Sequence, residues 1–415
     1  MLFFYRLVSN FIFLISPIII IYRIFKKKED PKRFLEKIGK FDKKTTNNDL
    51  VWFHGSSVGE ILSIVPLIEK LEKRKNIKKI LITSNTLSSA KIINKLKLKK
   101  TFHQFFPLDT VFLAEKFLNR WKPKVVFFIE SEIWPNMIIK IKEKNIPLIL
   151  LNARITRKSF LKWNSIPSFS KKIFNGFNLC LGQNDKTCNY LKILGAKNIK
   201  KIGNLKFSQS KSELKNKLNL KIKKNLRKKK IIFSAISTHK GEELFCAKVH
   251  ANLKKKYKNI ITIIIPRHVN RANKIKDELN SNNLNVHLHT SNKPLNNNAD
   301  IYIVDTFGET KSFLKLSKIA FMGKSINGYG GQNPIEAARL GNRIIHGPNI
   351  ENFVEVYDFL EKLGISTKIK SYKDLEKLII RFNQKKNYSN QIIKKLAYIG
   401  KQILFNNEKE INKYF

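Results

Sequence analysis

The sequence predicts an α/β protein made of two doubly wound units in tandem. Three observations predict it. Short apolar runs alternate with helical patterns from residue 50 to residue 347, and strands that alternate with helices form a parallel sheet covered on both faces. A polar, basic stretch from Phe207 to Lys230 splits that alternation into two series. At 415 residues the chain is long enough for two domains of ordinary size, each with its own core.

The first element differs in kind from the rest. "LFFYRLVSNFIFLISPIIIIYRIF", Leu2 to Phe25, is overwhelmingly apolar, interrupted by Arg6, Ser9, Asn10, Pro17 and Arg23, and is followed by Lys26, Lys27 and Lys28. About 20 mostly apolar residues suffice for a spanning helix, so residues 1–25 predict a membrane anchor that either crosses the bilayer or lies in its interface. No A-x-A-like cleavage site follows, and the basic flank is the kind that stays in the cytoplasm, which places the rest of the chain at the cytoplasmic face.

Residues 26–50 predict a short amphipathic helix and a polar loop. The first strand series is "LVWF" (50–53), "KILITS" (79–84), "VVFFI" (125–129), "PLILLNA" (147–153) and "LCLG" (179–182), with helical patterns at 61–73, Lys91 to Lys97 and Leu113 to Trp121. The second is "KIIFSA" (230–235), "NIITIII" (259–265), "NVHLH" (285–289), "ADIYIVD" (299–305), "KIAFMG" (318–323) and "NRIIHG" (342–347). The expected division is 1–25, 26–207, 208–390 and a helical Lys-rich tail at 391–415. Two such units joined by a linker predict a ligand cleft at the carboxyl ends of the strands.

Lys+Arg of 81 against Asp+Glu of 31 leaves a net charge of +50, which points to anionic partners: phosphates, nucleic acid or an acidic membrane face. The lysines are scattered among Asn and Ile, without the aromatic or zinc-knuckle patterns of nucleic-acid binders, so nucleic acid is not expected. Part of the excess reads simply as solvated faces. Cys180, Cys188 and Cys246 form no C-x-x-C, which suggests neither a disulfide framework nor a structural zinc site.

The chemistry-bearing stretches fall at predicted strand ends. In "HGSSVGE" (54–60), Gly55, Ser57 and Gly59 satisfy G-x-S-x-G in a strand, turn, helix setting, the pattern of a serine-hydrolase nucleophile elbow. Glu60 closes the same stretch and offers a carboxylate instead. In "ESEIWPN", Glu130 and Glu132 share one face if the chain remains extended, and a solvated pair after a strand has the same spacing. Lys206 in "GNLKF" stands just before the proposed linker, as a site residue or a surface lysine.

Arg267 in "PRH" offers a planar guanidinium for a two-point grip on a phosphate, and the neighbouring His268 reads equally as a capped loop residue. Gly308 and Glu309 in "VDTFGE" precede a helix start whose N–H groups suit an anion. "GYGGQNPIEAARLGN" is a Gly-rich loop leading into a helix, with Asn333 as N-cap, Pro334 at the first helical position and Glu336 able to accept from ribose hydroxyls. A plain tight turn has the same composition. No Asp-x-Asp and no helical His pair occurs, so a divalent metal site is not expected.

Eight stretches, "HGSSVGE", "ESEIWPN", "NARITRKSF", "GNLKF", "STHKGEE", "PRH", "DTFGE" and "GGQNPIEAARLG", in order from residue 54 to 341, resemble the motifs of the 3-deoxy-D-manno-octulosonic acid (Kdo) transferases of lipid A biosynthesis. The resemblance implies a GT-B fold of two Rossmann-like domains, with 26–207 binding the acceptor and 208–390 the donor. It implies CMP-Kdo as donor, a lipid A precursor (lipid IVA) as acceptor, and anionic inner-membrane lipids as surroundings. It also implies an inverting transfer without metal or cofactor. Carried over by position, Glu60 is the general base and Glu130 and Lys206 support the transition state. The CMP site comprises Pro266, Arg267, Gly308, Glu309, Thr310, Asn333, Pro334, Ile335 and Glu336. The chain departs from the family at Gly55, where Ala is usual, and at Gln332, where His is usual and contacts to the donor are affected.

The residue chemistry agrees with that reading. Inversion in one displacement needs a base for the acceptor hydroxyl, and Glu60 at a helix N-terminus is expected to be ionised. Basic groups near the departing CMP would offset its charge in place of a metal. The alternative is a serine hydrolase or acyltransferase built on Ser57, with His268 or His346 closing a triad.

Overall fold

The computed structural model describes residues 1–41, 49–96, 98–208, 218–384 and 388–415. Most of the expected polar loop (42–48), Lys97 of the expected helix and part of the expected linker (209–217) lie outside the described residues. The chain divides into two compact units, Met1–Leu214 with Ile399–Phe415, and Lys215–Tyr398.

The first unit is a seven-stranded parallel sheet: β1 Leu50–His54, β2 Lys79–Ser84, β3 Thr101–Phe105, β4 Val125–Ile129, β5 Leu148–Ala153, β6 Leu179–Gly182 and β7 Ile199–Lys201, in the order β3-β2-β1-β4-β5-β6-β7. The chain starts at the centre, winds to one edge and returns to wind to the other. That reversal falls between β1 and β4, where doubly wound sheets open a ligand crevice. Both strands are buried throughout, because helices cover both faces. Trp52 of β1 packs 4.6 Å from the Phe117 ring and edge-on to Phe128, and each such side chain removed from water contributes roughly 1.5–3 kcal/mol.

β3 ("TFHQF") and β7 ("IKK") are the two strands absent from the sequence reading. Both are sheet edges, where one side meets solvent and the continuous apolar run of a central strand is not required.

Two helices frame this unit. Leu2–Phe25 is long and apolar enough to cross a membrane, by length and composition. At the other end, the helix Tyr388–Ile411 passes from the second unit into the first. The sequence reading set 391–415 apart as a tail; from Ile399 onward these residues pack with the first unit. Glu408 accepts from Lys70 at 2.6 Å and Arg74 at 2.9 Å. Gly400 lies so close to the backbone of Phe207 that a Cβ would stand 2.3 Å from its carbonyl oxygen.

The second unit repeats the plan with β8 Ile231–Thr238, β9 Ile260–Pro266, β10 Val286–Leu288, β11 Ile301–Ile303, β12 Ile319–Met322, β13 Arg343–His346 and β14 Ser366–Lys368, in the order β10-β11-β9-β8-β12-β13-β14 and parallel throughout. Its reversal point lies between β8 and β12, so Thr238 and Met322 mark the crevice. β14, another edge strand of polar composition, is the one the apolar pattern missed. Within the expected linker, Leu220–Arg227 is a helix of this unit. All three cysteines are free.

Candidate active site

The turn after β1 and the turn after β4 bring three carboxylates together in the first unit. Ser57 caps the helix Val58–Leu71 in ordinary extended geometry (φ −111°, ψ 159°) and accepts from the Glu60 N–H at 3.3 Å. Glu60 reaches back: Oε2 accepts from the Ser56 N–H at 2.7 Å and Oε1 from the Ser57 hydroxyl at 3.0 Å. This is a capping box, not the strained turn of a nucleophile elbow. His268 and His346, offered as triad partners, both lie in the second unit, and His346 is buried with Nδ1 2.7 Å from the Gly347 carbonyl.

Glu60 is not the freely ionised group its helix position suggests. Burial, then the negative charges of Glu132 and Glu130, push its carboxyl up to about 7, against the hydrogen bonds from Ser57 and Ser56. A carboxylate poised there holds the protonation state and basicity a general base needs near neutral pH. Gly55, just before, packs tightly: a Cβ would stand 3.0 Å from Ile129 Cδ1 and 3.2 Å from Ile61 Cδ1.

The expectation that Glu130 and Glu132 share a strand face is corrected. β4 ends at Ile129, and Glu130 adopts a left-handed conformation, φ +57°, so the chain turns and the two side chains take different partners. Such a conformation in a non-glycine residue at a strand end is found where the surroundings fix it, often at functional sites. Glu130 pairs with Lys206 and accepts from Asn152 Nδ2 at 3.4 Å. Glu132 Oε2 accepts from Ser56 Oγ at 2.6 Å and Trp134 Nε1 at 2.8 Å, and lies 3.0 Å from His54 Nε2. Burial alone would raise the Glu132 carboxyl; the hydrogen bond and charge of His54, with Ser56 and Trp134, overcome it and hold it below the usual range.

Lys206 sits in a short 3-10 helix, Leu205–Phe207, which is fixed by asparagines. Asn204 Oδ1 accepts from the Lys206 N–H at 2.9 Å, and Asn152 Oδ1 accepts from the Leu205 N–H at 3.0 Å. Asn152, also left-handed at φ +53°, thus bridges the Glu130 turn to the Lys206 turn. The sequence offers Glu132 only as the partner of Glu130 in a carboxylate pair, and gives Asn152 and His54 no role. Their signal was membership of the ordered motifs, without an obvious chemical label.

In the second unit the expected donor residues follow the carboxyl ends of β9, β11 and β12. Pro266 ends β9, and Arg267 beyond it is exposed, its N–H on the Thr238 carbonyl at 3.1 Å. Gly308 (φ +87°) and Glu309 follow β11, and Thr310 opens the helix Thr310–Leu314. The Glu309 carboxylate is held by Thr306 and by His289 Nε2 at 2.9 Å. After β12, the expected cap is displaced by one residue: Pro334, not Asn333, is the N-cap of Ile335–Arg339, and Asn333 precedes it with Oδ1 accepting from the Ile335 N–H at 3.1 Å. Lys311 and Glu336, 3.3 Å apart, tie the two helix starts together.

A buried carboxylate with no assigned role, Glu242, organises this crevice. It accepts from the backbone N–H of His239 at 2.9 Å, Lys324 at 2.6 Å, Ser325 at 2.9 Å and Ile326 at 3.0 Å, fixing the turns after β8 and β12. Among the described residues, no group of three or more His, Cys, Asp or Glu side chains is placed to hold a metal ion.

Residues 32–209 match the family model described as 3-deoxy-D-manno-octulosonic-acid transferase (kdotransferase). A curated 3-deoxy-D-manno-octulosonic acid transferase of Rickettsia bellii is 34% identical over 366 residues, covering 88% of this chain and 87% of its own. One from Haemophilus influenzae is 28% identical, covering 78% and 76%. Among solved structures, the UDP-GlcNAc 2-epimerase of Neisseria meningitidis, bound to UDP-GlcNAc, superposes with a TM-score of 0.56 at 16% identity, covering 88% of this chain and 99% of that one. That likeness concerns the fold, two parallel-sheet α/β domains of the GT-B type.

Proposed function

The chain belongs to the 3-deoxy-D-manno-octulosonic acid transferase family, and from that premise we propose that it moves Kdo from CMP-Kdo to a lipid A precursor, lipid IVA, by one inverting displacement without metal or cofactor. The observation that carries this reading is Glu60: a helix-capping carboxylate, partly buried, poised near pH 7 by Glu132 and Glu130. The acceptor hydroxyl gives its proton to Glu60 as its oxygen bonds to the anomeric carbon of Kdo, and the bond from that carbon to the CMP phosphate oxygen breaks on the opposite face. CMP leaves with the electron pair.

Glu130 and Lys206 act as a pair. The ammonium, held by the Glu130 carboxylate and the asparagine-fixed turn, offsets negative charge developing in the transition state. Residues 26–207 supply the acceptor side. Residues 208–390 hold the donor, with Pro266 and Arg267, the Gly308 to Thr310 turn and the Asn333 to Glu336 helix start around CMP. Residues 1–25 attach the enzyme to the cytoplasmic face of the inner membrane, where the +50 charge suits anionic lipid.

The test is direct. Purified protein is incubated with Kdo, CTP, the CMP-Kdo-forming enzyme and a tetra-acylated lipid A precursor, and the lipid is weighed by mass spectrometry. The lipid should gain the mass of a Kdo residue, Kdo less one water, and Glu60→Gln should slow the gain by roughly 10²-fold or more. A lipid of unchanged mass with folded wild type, in a mixture where CMP-Kdo is shown to form, would refute the reaction.

A further inference from the structure

The helix Leu2–Phe25 is long enough to cross a bilayer, yet one of its faces is already occupied. Its covered residues recur at spacings of three and four: Tyr5, Ser9, Phe13, Ser16, Ile20 and Arg23 are buried or half-buried, which is one stripe of a helix. That stripe holds most of the polar residues that interrupt the apolar run. Near the N-terminal end, Tyr5 OH donates to Asp109 Oδ2 at 2.7 Å and Arg6 Nε to Asn136 Oδ1 at 3.4 Å, while Asn136 Nδ2 donates to Ser9 Oγ at 3.3 Å. Near the C-terminal end, Arg23 meets Glu29 at 3.2 Å, and Glu29 meets Lys37 at 2.8 Å. Both ends are therefore fastened to the first unit.

Apart from exposed Asn10 and the half-covered Leu2, Arg6, Ile15 and Ile24, the rest of the circumference is apolar and uncovered. Phe3, Phe4, Leu7, Phe11, Leu14 and Ile18 are exposed, several by 70% or more, and Phe25 by 81%. A face of this size and composition on a single helix is stable only against another apolar phase. Exposed Lys26, Lys27 and Lys28 close the helix, a basic flank that matches anionic headgroups. A perpendicular crossing would take Asp109, Asn136, Glu29 and Lys37 into hydrocarbon along with the docked stripe, which is costly for charged groups. Lying parallel to the surface immerses only the apolar side.

We propose that the helix Leu2–Phe25 lies flat in one leaflet of an anionic phospholipid bilayer, its free apolar face among the acyl chains and its polar stripe docked on the first unit. An immersion of about 5–10 Å is what such amphipathic segments reach. The docked end also leads to the candidate site: Lys37 Nζ donates to the Asn85 carbonyl at 3.1 Å, and Asn85 Nδ2 to Ser56 Oγ at 2.8 Å, beside Glu60. The headgroup plane is thereby set relative to Glu60, so an acceptor keeps its acyl chains in the leaflet while its sugar reaches the base.

Spin-label depth measurements on the full chain test this, in vesicles of phosphatidylethanolamine and phosphatidylglycerol. Labels are placed at Phe4→Cys, Phe11→Cys and Ile18→Cys, which share the free face, and at Ser16→Cys on the docked face, in a Cys188→Ser background. The expected result is one shallow depth for the first three and shielding of the fourth from both oxygen and a water-soluble nickel relaxant. Depth that runs from one interface through the midplane to the other, no immersion at any position, or a lipid-exposed label at Ser16→Cys each overturns the proposal. Vesicles of phosphatidylcholine alone should bind at least tenfold more weakly, and equal binding removes its anionic part. None of these readouts involves turnover, so they stand or fall independently of the transferase reading.

Discussion

Ser57 and Glu60 cap each other: the serine oxygen accepts from the Glu60 N–H at 3.3 Å while its hydroxyl donates to the Glu60 carboxylate at 3.0 Å. The serine of the G-x-S-x-G turn is therefore a positioning group for a carboxylate. Glu60→Gln should lose roughly 10²-fold to 10⁴-fold in Kdo transfer, the span of a general base. Ser57→Ala should remain active and cost about 1 kcal/mol in stability, the usual value of an N-cap. A fluorophosphonate probe should leave the wild type unlabelled; labelling together with an inactive Ser57→Ala would restore the hydrolase reading.

The pH dependence follows from the direction of the Glu60 shift. Its folded carboxyl is raised from 4.5 to about 7, so the folded state favours the proton, and the associated stability is present below 4.5 and lost as pH rises through 7. Thermal denaturation of Glu60→Gln, which has no charge to gain, should therefore improve relative to wild type between pH 5 and pH 8. Transfer should rise with pH on a limb near 7. Glu132→Gln, which removes a neighbouring negative charge, should move that limb to lower pH; an unmoved limb would show that another group sets it.

Lys206 and Glu130 should behave as a unit. Either Lys206→Met or Glu130→Gln alone strands its partner in a largely buried setting, with a loss on the order of 3–5 kcal/mol where burial is complete and less here, since the Lys206 side chain is 20% exposed. The double variant should be less destabilised than the sum of the singles, while all three transfer poorly. Denaturant melts and initial rates on the same preparations separate the two effects.

Arg267 is exposed, so Arg267→Ala should leave the melting temperature unchanged. If the guanidinium holds the donor phosphate, CMP affinity by calorimetry should fall about tenfold or more, the equivalent of a charge-assisted hydrogen bond. Undiminished affinity would place the donor phosphate elsewhere.

Metal independence is checked by adding EDTA to the transfer assay. Rates should persist, and activity that vanishes and returns with magnesium would sink that part of the reading.

The central strands were legible because they are buried on both faces, so "LVWF" and "VVFFI" have no alternation to confuse. Edge strands such as Thr101–Phe105 and Ser366–Lys368 were not, since their solvent side admits Thr, His, Gln and Lys. In the site, Glu60 stood out because a strand, turn, helix motif ends on it. His54, Asn152 and Glu242 did not, because their work is to hold other groups through contacts made across the sheet, and a linear pattern carries no trace of which backbone N–H a carboxylate will reach. The left-handed turn at Glu130, which redirects two carboxylates, is likewise decided by tertiary partners.

The pairing of Tyr5 with Asp109 bears on how exchangeable the N-terminal segment is. Asp109 is buried, and besides Tyr5 it accepts from the backbone N–H groups of Asn136 at 3.0 Å and Met137 at 2.9 Å, just beyond the Trp134-Pro135 step whose indole contacts Glu132. A leader of equal greasiness but different sequence would restore attachment without restoring that bond, so a chimera carrying a foreign hydrophobic helix should bind vesicles and yet melt at lower temperature than the native chain. Detergent-free truncations beginning after Phe25 would inherit the same defect, an uncovered docking stripe above Asp109 and Asn136. For this protein, solubility obtained by shortening would come at the expense of the support beneath the turn that carries Glu130 and Glu132.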